Sequence, residues 1–255
     1  MRKLFLPFLL FMFCGTLTTN AQVINVEDII LRLKDSVNFS GFINANFSIS
    51  QASNRVLVFH NDAQVEKLLD KHFFLGIGSY NLISSDNNNF VNDNSLHLRY
   101  NYEFHHRFYG ELFFQTQNSP FATITNRDLV GLGIRIKVQH GKIFRLYTGI
   151  SFISEKNIFL GDSVYHYYNR ISSYMSYNWL INSNLRLVQT IYYQPSFDNI
   201  SNYRVSTKAS FLAIINQHFS FNSSFILESL NIPIVEDRNL RKNNYVWSNG
   251  LRYDF

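Results

Sequence analysis

The sequence predicts an all-β chain, folded as a single antiparallel up-and-down transmembrane β-barrel of about twelve strands, with ten as the lower count. Three observations lead there: an export signal at the start, hydropathy of period two along the rest, and connections that alternate between short and long.

The export signal comes first. Arg2 and Lys3 precede an apolar run from Leu4 to Phe13, and Thr19-Asn20-Ala21 fits the small-x-small pattern of a cleavage site. The run is about ten residues long, where a spanning helix needs roughly 20. Residues 1–21 therefore read as a signal peptide for the Sec-type route, with cleavage near Ala21. Cys14 is the only cysteine, and the bulky Phe11-Met12-Phe13 before it argues against a lipid attachment site. The exported chain would then carry no disulfide.

Composition narrows the class. Formal net charge is +5; without Arg2 and Lys3 the 23 basic residues become 21, against 18 acidic ones. That excess is too small to suggest nucleic acid as a partner. The chain holds 25 Phe and 15 Tyr with only 16% charged residues. No helix-length apolar stretch follows residue 21, so strands must carry the aromatics.

Residues 22–36 differ from the rest. The segment from Val26 to Asp35 has helical spacing and predicts a short periplasmic helix or lead-in. From Val37 the period becomes two, and residues 37–255 are assigned to the barrel. Phe39, Gly41, Ile43, Ala45 and Phe47 alternate with polar residues, and only Phe42 breaks the pattern. Such alternation makes a strand with one apolar and one polar face. It recurs over 96–104, 130–138, 144–152, 204–213 and 245–255. Weaker strands fill 55–66, 72–83, 108–117, 166–178, 185–194 and 219–230. The stretches 72–83 and 166–178 have no clear facing, which is why ten strands stays open.

Short links fall near 68–70, 105–107, 139–142, 179–184 and 216–218. Longer ones, rich in Asn, Ser and Asp, fall near 84–93, 118–127, 154–165, 195–202 and 231–243. Short turns on one side and long loops on the other is the layout of outer-membrane barrels. Twelve strands put both termini on the short-turn, periplasmic side. A strand of about ten residues at 3.3 Å each, tilted about 40°, rises roughly 25 Å and matches the apolar band of such barrels.

With the apolar face toward lipid, the polar face lines a lumen that twelve strands make too wide for side chains to fill. The charges on the polar faces are Arg99 and Glu103, Glu111, Arg135 and Lys137, and Arg145. Further along come Arg186, Arg204 and Lys208, Glu228, and Arg252 with Asp254. Eight are basic and four acidic. An open lumen so lined would prefer anions mildly; the other reading is a ladder of ion pairs that fills the lumen.

The sequence offers little that could carry catalysis. The Gly-x-Ser-x-Gly elbow of serine hydrolases is absent. His97 sits among lumen charges, His60 shares a face with Asp62, and His105-His106 lies in a turn. His166 is near Ser172 and Ser173 without motif support. No catalytic, cofactor-binding or metal residue is assigned. The expected function is passive, either a small-solute pore or a structural, stress-related envelope protein. A lipid-modifying enzyme of the outer membrane is the alternative from another class.

Four features carry a resemblance: the strand starting at Gly41, the hairpins with Asn-rich loops such as Ser84 to Asn89, the run Gly131-Leu132-Gly133-Ile134-Arg135, and the closing Gly250 to Phe255. Together they resemble the salt-induced outer-membrane proteins, a family of unknown function, from Gly41 to about Val138 and again at the end. The resemblance implies a barrel fold and an outer-membrane location, with no catalytic residues. The terminal Phe255, with Tyr253 two residues before it, resembles the assembly signal of outer-membrane proteins. It implies the barrel-assembly machinery as a partner during biogenesis and outer-membrane lipid, including lipopolysaccharide, as the final surroundings.

Overall fold

The computed structural model describes residues 39–51, 55–85, 90–119, 124–159, 161–232 and 243–255. The signal peptide and the lead-in over 22–36 lie outside the described residues.

Period-two hydropathy becomes twelve strands. They are β1 (Phe39–Gln51), β2 (Arg55–Leu69), β3 (His72–Ser85), β4 (Phe90–His105), β5 (Phe108–Ser119) and β6 (Ile124–His140). Then follow β7 (Phe144–Phe159), β8 (His166–Asn182), β9 (Leu185–Pro195), β10 (Tyr203–Ile214), β11 (Phe219–Asn231) and β12 (Asn243–Asp254). Each pairs antiparallel with its neighbours in sequence, and β1 pairs with β12 to close the barrel. The count of ten is therefore set aside.

The two ambiguous stretches have a physical explanation. In β3, Leu75 and Ile77 are buried inside the barrel with Phe73 against them, while Phe74 and Tyr80 face outward. Apolar residues on both faces erase the alternation. In β8 the inward row is Arg170, Ser172, Tyr174, Ser176 and Asn178, all buried, and the outward row includes Ile171 and Met175. An inward tyrosine and an outward Ser173 blur that pattern.

The short connections gather at one end, with the C-terminus. Asp70-Lys71, His106-Arg107, Gly141 to Ile143, Ser183-Asn184 and Ile215 to His218 join strand pairs there. Asp70 adopts φ 53°, a left-handed conformation that Asp tolerates in tight turns. At the other end the strands run well into the segments expected to be loops. β4 starts at Phe90, β6 at Ile124, and β7 continues to Phe159.

The outer surface bears an apolar belt. Leu98, Leu132, Ile134, Ile150, Phe152 and Leu251 are all exposed on it. An exposed belt of this extent is stable only against lipid. Toward the loop end the outer wall changes character. Lys156 and Asp128 form an outward-facing ion pair there at 3.4 Å. At about 2.5 Å of rise per residue in a tilted strand, Lys156 stands about 30 Å above the start of β7, beyond a belt of about 25 Å.

The closing ladder between β1 and β12 covers six paired positions, from Phe42 with Asp254 to Phe47 with Asn249. Two backbone hydrogen bonds extend it: Gly41 N–H donates to the Phe255 carbonyl at 3.2 Å, and Phe255 N–H donates to the Gly41 carbonyl at 3.0 Å. The seam depends on close approach. A Cβ on Gly250 would lie 1.9 Å from the Ala45 carbonyl oxygen. Gly78, by contrast, has nothing within 4 Å of a Cβ. Gly250→Ala should therefore destabilise the barrel by about 1–3 kcal/mol through overpacking at the seam. Gly78→Ala should have no such effect. Urea unfolding of detergent-refolded protein, followed by heat-modifiable gel mobility, measures both.

Candidate functional site: the lumen

The inward rows meet in the lumen, and side chains fill it. Along β10 the buried row is Arg204, Ser206, Lys208, Ser210 and Leu212. On the facing wall, Asn44, Asn46, Asp62, Gln64 and Glu66 are equally buried. An open channel would leave such side chains wet. The expected wide lumen is thus corrected: long Arg, Glu and Tyr side chains and apolar groups reach across it. One apolar cluster packs Phe113, Leu129 and Ile153. A second, toward the loop end, packs Ile124, Phe159, Leu230 and Ile232 with Tyr168.

Two charge clusters sit in this packing. The first, near the loop end, centres on Glu155. Its Oε2 accepts from Arg127 Nη2 at 2.7 Å and from Arg204 Nη1 at 3.3 Å; its Oε1 accepts from Arg170 Nε at 2.6 Å. Arg204 also contacts Glu228 through Nε at 3.0 Å. Arg170 is held further by the carbonyls of Gln194 and Asn202 and by Asn202 Oδ1. The five charged groups come from β6, β7, β8, β10 and β11, so the cluster ties half the wall together.

The second cluster, toward the turn end, centres on Glu111. Arg99 Nη1 donates to its Oε1 at 3.1 Å, Tyr174 O–H donates to the same atom at 2.8 Å, and Arg135 Nη1 lies 4.0 Å away. Rings pack on the guanidiniums: Arg135 lies over Tyr147 at 4.0 Å and Arg99 over Phe113 at 5.2 Å. Tyr174 is on β8 and Glu111 on β5, so this bond crosses the lumen.

Of the residues picked from the sequence, the structure buries Arg99, Glu111, Arg135, Arg204, Lys208, Glu228, Arg252 and Asp254 within the barrel. Arg252 pairs with Asp254 at 2.9 Å and stacks on Phe42 at 3.8 Å. Glu103, Lys137, Arg145 and Arg186 are half-buried near the turn end. Lys137 lies over the Tyr109 ring, and Arg145 Nε donates to the Gly141 carbonyl. Tyr253 and Phe255 face outward. The anchor of the mouth cluster was missed. Glu155 and Arg127 fall in stretches read as loops, and Arg170 in a strand without clear facing. No local signal marked them: beyond Phe152 the inward row of Ile153, Glu155 and Asn157 alternates with Ser154 and Lys156, so no apolar row contrasts with a polar one. Asp62, Glu66 and Asp93 are also buried. Among the described residues ten basic groups thus stand against eight acidic ones inside, and the expected basic excess of four shrinks to two.

The histidines take other partners. His60 Nε2 lies 3.1 Å from Asp62 Oδ1, His97 Nδ1 lies 3.2 Å from Gln115 Oε1, and His166 Nε2 lies 2.7 Å from Asp162 Oδ2. Ser172 accepts from Gln194 inside the lumen, and Ser173 donates to the Tyr193 carbonyl outside.

Residues 43–255 match the family described as "Protein of unknown function, DUF481". The chain belongs to that family. Curated protein sequences give no match. Solved structures share the fold of this DUF481 barrel. The COG4313 outer membrane channel from Pseudomonas putida F1 is 9% identical with a TM-score of 0.50, covering 85% of this chain and 94% of its own. The NanC porin is 12% identical with a TM-score of 0.49, covering 84% and 97%. The translocator domain of the autotransporter NalP from Neisseria meningitidis is 9% identical with a TM-score of 0.47, covering 88% and 91%. Identities this low speak to architecture alone.

The mouth cluster makes a graded prediction. Glu155→Gln leaves three buried guanidiniums with one charged partner, Glu228, and should cost about 3–5 kcal/mol, as for a broken buried pair. Asp128→Asn breaks a partly exposed pair and should cost about 1 kcal/mol or less. Urea midpoints of the two variants compare them directly.

Proposed function

We propose that this protein is a narrow outer-membrane channel that its own side chains hold shut, passing small solutes only when the mouth cluster rearranges. The packing of the lumen carries the reading: Arg170 is 0% exposed and Arg204 1% exposed inside a barrel of twelve strands. The paired charges of the mouth can open by exchanging partners, once the apolar group of Ile124, Phe159, Leu230 and Ile232 beside them parts. The shared architecture of outer-membrane channels is consistent with this reading. In this reading residues 1–21 direct export, with cleavage near Ala21, and Tyr253 with Phe255 hand the chain to the barrel-assembly machinery.

A second reading is a purely structural envelope barrel. The Tyr174–Glu111 bond across the lumen favours it, since such a tie stiffens the wall. Conductance separates the two. In a planar bilayer the native protein should show no steady current, only brief openings. The pair Glu155→Gln with Arg204→Gln should lengthen or enlarge them. With interior charges so nearly balanced, the reversal potential in a chloride gradient should lie close to zero. Silence in both proteins would leave the structural reading standing and remove the channel.

A further inference from the structure

A cavity of about 50 Å³ lies in the lumen between the two charge clusters. One water needs roughly 10–15 Å³ by the same kind of measure, so there is room for a small ion together with water. Arg99, Arg127 and Arg204 all contribute to its lining, and Glu228 is the single carboxylate among the described residues there. His97 and Gln115 supply neutral polar groups.

Two observations point to what the cavity holds. The mouth cluster contains three guanidiniums, Arg127, Arg170 and Arg204, against two carboxylates, Glu155 and Glu228; each of the five is at most 5% exposed. One positive charge is therefore buried in excess among these groups, and a buried unpaired charge is among the costliest features a fold can carry. The second observation locates it. Arg170 spends its donors on Glu155, Gln194 and Asn202, and Arg127 bonds Glu155 through Nε and Nη2. Arg204 Nη2 is buried and has no hydrogen-bond partner among the described residues. The residue lines the cavity.

We infer that the cavity is a binding site for one small monovalent anion of the halide class, held by Arg204 and completing the charge balance of the mouth cluster. The anion is a built-in counter-ion, so the site stands whether or not the barrel conducts. Its volume excludes bulky organic anions. Sulfate and phosphate would overcompensate the single charge.

Bromide is the probe. Crystals of the full exported chain grown in sodium bromide should show an anomalous peak within hydrogen-bond reach of Arg204 Nη2. In solution, the thermal midpoint of the refolded barrel should rise with bromide and saturate, relative to sodium gluconate at equal ionic strength. Ser206→Val fills the cavity from the residue paired with Glu228 and leaves every charge in place. It should assemble normally and lose both the peak and the bromide dependence. A native barrel with no peak at Arg204 and equal midpoints in the two salts would overturn the assignment. A bromide dependence that persists in Ser206→Val would overturn it too, since the ion would then bind elsewhere.

Discussion

A sheet that crosses a bilayer must close on itself, because hydrocarbon offers no partner to an unpaired N–H or C=O. Everything in this molecule depends on meeting that constraint with β1 and β12, the two strands farthest apart in sequence. The closure is sterically tight. Gly250 lets the backbone of β12 approach Ala45, and Phe255 completes the ladder against Gly41. The final residue thus belongs to the wall itself. Once the ring is shut, the pleat dictates the rest: every second side chain meets lipid, and its neighbours are forced into a common interior.

Much of this was legible in the sequence because two solvents act on one chain. Where lipid touches the wall, the outward row must be apolar, and β4, β6, β7 and β12 display clean alternation. The same rule explains the failures. In β3, Leu75 and Ile77 point into the lumen, so no polar row contrasts with the apolar one. At the loop ends of β6 and β7 the outward residues are Asp128 and Lys156, no longer facing hydrocarbon, and strand looked like loop. Glu155 was lost for that reason. No property of Glu155 itself distinguishes it from a loop carboxylate; only its pairing across strands does, and pairing is not written locally.

The arrangement of interior charge also escapes a linear reading. Counting polar faces suggested a basic lining, yet the missed acids nearly cancel it. What distinguishes the lumen is grouping. Three guanidiniums converge on Glu155, while rings of Tyr147, Tyr174 and Phe113 embed the guanidiniums around Glu111. Arginine suits both settings, since its planar fork bridges carboxylates and its face stacks on aromatics. Lysine in these places would satisfy the charge and fail the geometry.

The outward pair of Lys156 and Asp128 marks where the wall leaves the hydrocarbon, and so divides the molecule into two mechanical zones. Below, the belt is gripped by lipid and must follow its thickness, tilting or bending when the bilayer thins or swells. Above, the collar that carries Glu155 is held by its own ladders, its ion pairs and the apolar cluster around Phe159. Changes in membrane composition therefore strain the neighbourhood of Glu111 and leave the mouth undisturbed. The barrel carries its most demanding electrostatics outside the reach of lipid tension.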